Sequence, residues 1–417
     1  MLFGMTEMGG NGDGCIFSID TDGNGYKILL DFNGANGALP LGGLTLSESQ
    51  LYGMTNVGGI NGYGVIFSID TAGGNYKDLH DFNDTNGAEP DGDLILLGGR
   101  LYGMTGLGGP NDSGCIFAID TNGKNYKDLF DFNGSNGRTP YGSLLLSGNK
   151  FYGMTSESQH GYGTIFSIDT NGNSFKNLHD FNDTNGAWPF GSLILSGKML
   201  YGMTENGFSP ISIWGTIFSM DTDGTRFTDL HNFNYTNGLD PYGDLILSRG
   251  TLYGMTSGGS MTFGNVFSID TDGSRFHDLI DFNGAPGGSE PYGSLIIAGS
   301  NLYGMTYRGG INNDGSIFKI HSDSNLSVNN LKSISASINL YPNPNNGQFT
   351  LQSSVVGNQL SVVEVYNVLG EKVLTEIRLL ADNSIINLSG QPSGVYFYRV
   401  LQKDGELIGE GKFVIAP

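Results

Sequence analysis

Apolar and polar residues alternate in short bursts along most of this chain, and the bursts follow a fixed order. Leu51-Tyr52-Gly53-Met54-Thr55 reads as a short strand, a glycine-rich run follows at 56–64, and Ile66-Phe67-Ser68-Ile69-Asp70 alternates like a half-buried strand. A tight turn at 71–75 leads to a third strand from Tyr76 to Phe82. A loop at 83–93 carries Asn86-Gly87 and Pro90, and Leu94-Ile95-Leu96 forms a fourth strand. At Leu101 the order begins again.

Variants of Leu-Tyr-Gly-Met-Thr begin at Leu2, Leu51, Leu101, Phe151, Leu200, Leu252 and Leu302. A unit of about fifty residues with four short antiparallel strands has the size of a β-propeller blade. The expected fold is therefore all-β: a seven-bladed propeller over residues 1–320, closed into a ring because an open array would leave bare sheet edges. The first repeat lacks the strand that should precede Leu2. The last ends at Ile317-Phe318-Lys319-Ile320, with residues 321–332 available to supply its outer strand. An upstream extension of the natural polypeptide beyond Met1 is expected on that ground. Long connections (56–64, 83–93) alternate with short ones (71–75, 97–100), so both long loops leave the sheet on one face, where binding residues are generally carried.

After a Ser/Asn-rich linker at 321–337, residues 338–417 stop repeating and show six or seven alternating segments, including Gln348 to Gln352, Ser361 to Asn367, Gly394 to Leu401 and Glu406 to Ile415. They predict a small immunoglobulin-like β-sandwich.

Charge narrows the partners. Of the net charge of -21, residues 338–417 carry -2 (five basic, seven acidic), leaving -19 for residues 1–337. That argues against nucleic acid and anionic membrane surfaces. No run approaches eighteen apolar residues, which excludes a helical membrane span on length. Met1 is followed at once by repeat material, with no signal peptide visible. Cys15 and Cys115 occupy one repeat position, two units apart. Sheets packed about 10 Å apart put them roughly 20 Å from each other, beyond the reach of a disulfide, so two free thiols are expected.

The repeat layout resembles kelch-type propellers at Tyr52, Gly58-Gly59, Asp70 and Tyr76, and as a whole unit it resembles the Gloeobacter and Verrucomicrobia tandem repeat. The second resemblance implies a fold and no reaction. The hairpin at Ser18, Asp20, Gly23 and Tyr26 resembles the Asp box of sialidases with one extra residue, and the six arginines of residues 1–320 form no carboxylate-binding cluster. The C-terminal segment resembles the type A C-terminal sorting domain of the type IX secretion system. The matching residues are Tyr341-Pro342-Asn343-Pro344 with Gly347, Val365-Tyr366-Asn367 with Leu369-Gly370, Ile386-Asn387-Leu388, Gly394-Val395-Tyr396-Phe397 and Lys412-Phe413-Val414. The resemblance implies handling by that secretion machinery and export to the outer-membrane surface or the medium. In that family the domain is removed, and such cargo starts with a signal peptide.

Side chains that look chemical divide by repeat phase. The turn Asp20-Thr21-Asp22-Gly23, repeated at Asp221 and Asp270, has the carboxylate spacing of a calcium loop, but Ala72, Asn122 and Asn171 replace the middle acid elsewhere. A hairpin with Asx side chains on its own backbone accounts for it without a metal or other cofactor. His80, His179 and His231 share a position with Leu30, Phe130 and Ile280, and are expected to pack; His277 aligns with Lys27 and Lys77 and is expected to be exposed. The methionines from Met5 to Met305 recur as one core position. No nucleophile-base arrangement emerges.

The variable residue of the Pro-x-Gly loop is Leu41, Asp91, Tyr141, Phe190, Tyr242 or Tyr292. Its four aromatics, with Trp188, Trp214, Arg138 and Arg308, form the candidate binding site for a glycan or protein, unless they pack over the next proline. The expected function is non-enzymatic binding by an exported monomer. An exported hydrolase is the alternative; it requires acids from different blades, such as Asp91, Asp93 and Asp244, to converge at the channel mouth with a raised pKa on one.

Overall fold

The computed structural model describes the chain except residues 183, 208–213, 260–262, 285–286, 311, 323–337, 354–359, 368–371, 380–383, 403–406 and 417. It divides into two compact units, Met1–Asn325 and Leu326–Pro417.

Among the described residues of the first unit the alternating bursts form seven antiparallel sheets in chain order, five of four strands and the first and last of three. The second sheet is Thr45–Ser47, Gln50–Thr55, Val65–Asp70 and Lys77–Asp81, each strand pairing with the next. Its outer strand is not a plain alternation. Ile66 faces His80 while Phe67 faces Asp78, so Leu79 is an extra residue that drops into the core. The same shift recurs in each of the six sheets that have this strand.

Hydrophobic cores lie between neighbouring sheets. Met54, Ile66 and Phe82 of the second sheet pack with Leu101, Phe117 and Ile119 of the third, and this arrangement repeats along the unit. Each fully buried phenylalanine contributes roughly 1.5–3 kcal/mol by transfer from water. Gly53 is required by close approach: a Cβ there would lie 2.6 Å from Phe67 Cζ.

One contact repeats from sheet to sheet through the tyrosine of Leu-Tyr-Gly-Met-Thr. Tyr253 Oη in the sixth sheet donates to Ser322 O beyond the seventh (2.8 Å), and Tyr303 Oη in the seventh donates to Thr21 O in the first (3.1 Å). Lys319 Nζ donates to the same carbonyl at 3.3 Å. The last sheet thus meets the first as neighbours meet elsewhere. The seam is thinner in side chains. Ile317 is 38% exposed where Ile66, Ile116 and Ile165 are 0%, and Met305 is half-buried where the other six methionines of its position are buried. Residues 323–332, available for an outer strand there, lie outside the described residues.

Successive sheets approach most closely at the Pro-x-Gly loops. A Cβ on Gly42 would lie 2.5 Å from Gly92 O, and one on Gly92 the same distance from Gly142 O. Members of a ring crowd most at its axis, so these loops and the three-residue strands after them line the centre.

In the second unit, Ile338–Tyr341, Gln348–Ser353 and Ser384–Asn387 form one sheet, and Lys372–Leu379, Leu360–Asn367, Gly394–Gln402 and Leu407–Ile415 another. Both contribute to one core that includes Phe349, Val363, Val365, Ile386, Val400 and Phe413.

Candidate ligand-binding face

The second long loop of each repeat pairs with the first long loop of the next on one face. Ala38 bridges Val57, Ala88 bridges Leu107, and the same ladder recurs at Arg138/Glu157, Ala187/Asn206, Leu239/Gly258 and Ser289/Arg308. The residue before each proline holds a left-handed conformation, as at Glu89 (φ 52°), Trp188 (φ 57°) and Asp240 (φ 53°), with its N–H on the neighbouring loop's carbonyl. This fixes the direction in which the Pro-x-Gly side chain leaves.

At the axis a chain of hydrogen bonds passes from sheet to sheet. Gly43 N donates to Asp93 Oδ1, Asp93 N to Ser143 Oγ (2.7 Å), Ser143 N to Ser192 Oγ (2.8 Å), Ser192 N to Asp244 Oδ1 (2.6 Å) and Asp244 N to Ser294 Oγ (2.9 Å). Asp93 and Asp244 belong to the third and sixth sheets, yet Asp244's charge reaches Asp93, which places both carboxylates toward the centre. The surrounding protein first, and then Asp244, push Asp93 up to about 6, and burial raises Asp244 as well. Both residues are half-buried.

Above this collar the variable residues form a continuous arc. Ring centroids run Tyr141 to Phe190 (5.4 Å), Phe190 to Tyr242 (5.4 Å), Tyr242 to Tyr292 (5.3 Å) and Tyr292 to Tyr307 (5.6 Å). The aromatics therefore pack on one another, with Tyr292 and Tyr307 more than two-fifths exposed. Asp91 holds the place before Tyr141, accepting from Asn56 Nδ2 at 2.6 Å, and burial with the nearby Glu89 pushes it up to about 7. Tyr242 Oη donates to Glu205 Oε1 at 2.7 Å; burial and then Glu205 push Asp240 up to about 6. Leu41 is half exposed.

The remaining predicted residues sit outward of the arc. Arg138 is paired with Glu157 and borders a shallow depression of about 630 Å³ shared with Gln159 and His160. Arg308 pairs with Glu290 at 3.5 Å, 5.9 Å over the Tyr307 ring. Trp188, 38% exposed, donates from Nε1 to Gly161 O. Trp214 is not brought to the arc: it packs on Tyr235 (5.8 Å) and on the core beneath. Tyr307, Glu89, Glu205 and Asp240 were not singled out from sequence. The repeat alignment held a signal for Tyr307, since its position is otherwise Glu7, Asn56, Gly106, Ser156, Glu205 or Ser257.

Elsewhere the side chains that looked chemical serve the scaffold. His80, His179 and His231 stack on Tyr126, Phe227 and Phe276 of the next repeat at 4.0 Å. Asn86 Oδ1 accepts from Asn83 N, which turns its Nδ2 onto His80 Nε2 (3.0 Å) and makes that nitrogen an acceptor. Burial lowers all three histidines, His231 to about 4. His277 is exposed. In the hairpins, Asp22, Asp223 and Asp272 accept the amide two residues on, and among the described residues no three His, Cys, Asp or Glu side chains gather as a metal site. Cys15 and Cys115 are buried and free, each near a threonine hydroxyl.

In the C-terminal unit the motif residues tie the first strand to the last. Asn343 Oδ1 accepts from Val414 N (2.9 Å), Asn345 N donates to Val414 O (2.9 Å), and Gly347, at φ 91°, donates to Asn345 Oδ1 (2.8 Å). The peptide bonds before Pro342 and Pro344 are cis. Tyr341 and Lys412 are exposed. Tyr396 packs on Phe413 and donates to Pro392 O, following Gly394 at the start of that strand. Gly370 lies outside the described residues.

The fold and its comparisons define a β-propeller repeat protein with an export tail. The Gloeobacter/Verrucomicrobia repeat model matches residues 1–211 and 211–339, and the chain belongs to that family. Residues 339–416 match the secretion system C-terminal sorting domain, here of the type IX system, which indicates passage through that machinery to the medium or the outer-membrane surface. No helix among the described residues is long and apolar enough to cross a membrane. No curated protein matches the chain significantly. Among solved structures, an oligogalacturonate lyase from Vibrio parahaemolyticus is 7% identical with a TM-score of 0.50, covering 76% of this chain and 85% of its own. The extracellular domain of a one-component system from B. thetaiotaomicron is 12% identical with a TM-score of 0.49, covering 97% of this chain, which spans 54% of that one. The β-propeller domain of the trilobed protease from Pyrococcus furiosus is 9% identical with a TM-score of 0.46, covering 74% and 84%.

Proposed function

We propose that this chain is an exported, kelch-type propeller of seven blades that binds an extracellular glycan or protein through its long-loop face, as a monomer and without catalysing a reaction. Its C-terminal unit serves as an immunoglobulin-like sorting sandwich. The Tyr303 to Thr21 hydrogen bond supports ring closure. The observation that carries the binding reading is the unbroken arc from half-buried Tyr141, Phe190 and Tyr242 to exposed Tyr292 and Tyr307, because a contiguous solvent-reaching aromatic patch marks recognition where scattered residues do not. Trp188, Arg138 and Arg308 border it. Glycan and peptide arrays probed with the full chain test this. Binding that is lost in Tyr242→Ala and Tyr292→Ala fits the reading; ligands retained by both variants refute it.

A hydrolase is the second reading, favoured by the approach of Asp93 and Asp244 from the third and sixth sheets, with Asp91 on the same loop as Asp93 and raised proton affinity at all three. Against it, Asp93 and Asp244 hold the post that Ser143, Ser192 and Ser294 hold elsewhere, accepting a neighbour's backbone amide. Turnover of a glycan or peptide substrate that disappears in Asp91→Asn would establish the hydrolase instead.

A further inference from the structure

The arc is poorly shaped for stacking sugars. Its successive ring planes are turned by 34°, 45°, 66° and 69° with centroids under 6 Å apart, so the edge of one ring shades the face of the next. A pyranose needs an open face. The wedge between two tilted rings instead suits a narrow group, such as an ammonium or guanidinium on its alkyl stem, which also gains from the ring quadrupoles.

Charge around the arc points the same way. Glu89 and Asp91 stand at one end, and Glu205 and Asp240 stand beside Tyr242 near its middle, none with a cationic partner among the described residues. The nearby guanidiniums are committed, Arg138 to Glu157 and Arg308 to Glu290. Asp91 and Asp240 are pushed up to about 7 and about 6 with no positive charge offsetting either. A cation placed there would offset both the burial cost and the neighbouring acid's repulsion. The two acidic points rise from loops three repeats apart, so a ligand filling both must be longer than a single amine.

We propose that the channel mouth binds a basic polypeptide segment, its lysine or arginine side chains seated between the aromatic rings and facing Glu89, Asp91, Glu205 and Asp240. This rests on the reading of the long-loop face as a binding surface and selects the protein ligand over the glycan. The positive charge of the segment complements an acidic mouth that no side chain among the described residues neutralises.

The test is fluorescence anisotropy of the full chain with a short labelled arginine- and lysine-rich peptide, beside an acidic peptide and neutral oligosaccharides. The basic peptide is expected to bind saturably, and Tyr242→Ala or the pair Asp91→Asn with Asp240→Asn should each weaken it about tenfold or more. The pair Asp223→Asn with Asp272→Asn removes the same charge from hairpin turns, keeps their hydrogen-bond acceptors, and should change affinity less than about twofold. Tyr242→Phe, which keeps the ring, guards against loss through misfolding and should bind nearly as well as the parent. Equal weakening by both acidic pairs would reduce the effect to overall charge and overturn the proposal. So would failure of the basic peptide to bind. A neutral oligosaccharide that binds in a Tyr242-dependent way while the peptide does not would sink the cationic inference and leave the binding face standing.

Discussion

Tyr303 Oη donates to the carbonyl of Thr21 at 3.1 Å, joining residues 282 positions apart. The sixth sheet makes the same bond forward, from Tyr253 to Ser322. The pair therefore acts as an inter-sheet contact like the others while carrying the connection between the two ends of the repeat region. Replacing Tyr303 by Phe removes one hydrogen bond at the thinnest junction, and thermal melts should show a loss of about 1 kcal/mol. A variant as stable as the parent would mean that the junction is held without this bond.

Phe117 is fully buried between the second and third sheets, edge-on to Phe82 at 5.4 Å. Phe117→Ala should cost about 3–5 kcal/mol, measured by denaturant unfolding. A cost below about 1 kcal/mol would contradict a packed inter-sheet core.

Gly92 approaches Gly142 O so closely that a Cβ would stand 2.5 Å away, although its backbone angle is open to any residue. Gly92→Ala should therefore destabilise or prevent folding by a clash at the axis, while Gly98→Ala, in open space at a hairpin, should cost only the strain of its positive φ. Circular dichroism melts of the two variants compare them directly. Equal effects would place the Pro-x-Gly loops away from the centre.

Asp93 gives the pH prediction. Burial and the Asp244 charge raise its folded pKa to about 6, above the unfolded value of about 3.9. The folded state thus holds this proton more tightly. The stabilisation is fully present below about pH 4 and is lost as pH rises through about 6. Asp93→Asn keeps an oxygen for Gly43 N–H and removes the charge, so the variant should be more stable than the parent at pH 8, by on the order of 1–3 kcal/mol. The difference should fade toward pH 4. Half-buried His231 acts in the opposite sense, losing stability as pH falls from about 6.5 through about 4. It is present in both proteins, so the comparison cancels it. A constant difference across the range would show that Asp93 does not titrate as described.

Much of the fold was legible because each strand position recurs with the same residue type. Phe67, Phe117, Phe166 and Phe218 announce one core site, and the alternation of loop lengths places both long loops on one face. Leu79 was not legible as a bulge, since Lys-Asp-Leu-His-Asp reads as a plain alternation and only the pairing with Ile66 and Phe67 shows the extra residue. The Pro-x-Gly aromatics could be placed on a common face from phase alone, but their mutual contact depends on how tightly the ring draws the loops together. The same holds for Asp93 and Asp244, whose approach across the centre is a property of closure and not of local sequence. Trp214, half-buried, packs on Tyr235 and on the core instead of joining the arc, which phase along the repeat does not reveal.

Small-angle scattering of residues 1–322 tests closure most directly. A closed ring of this length should have a radius of gyration of about 20 Å, the value for a compact domain of its size. An extended ribbon of unclosed sheets would give a radius larger by a third or more, and that result would remove the central channel, the collar of Asp93 and Asp244, and the aromatic arc together.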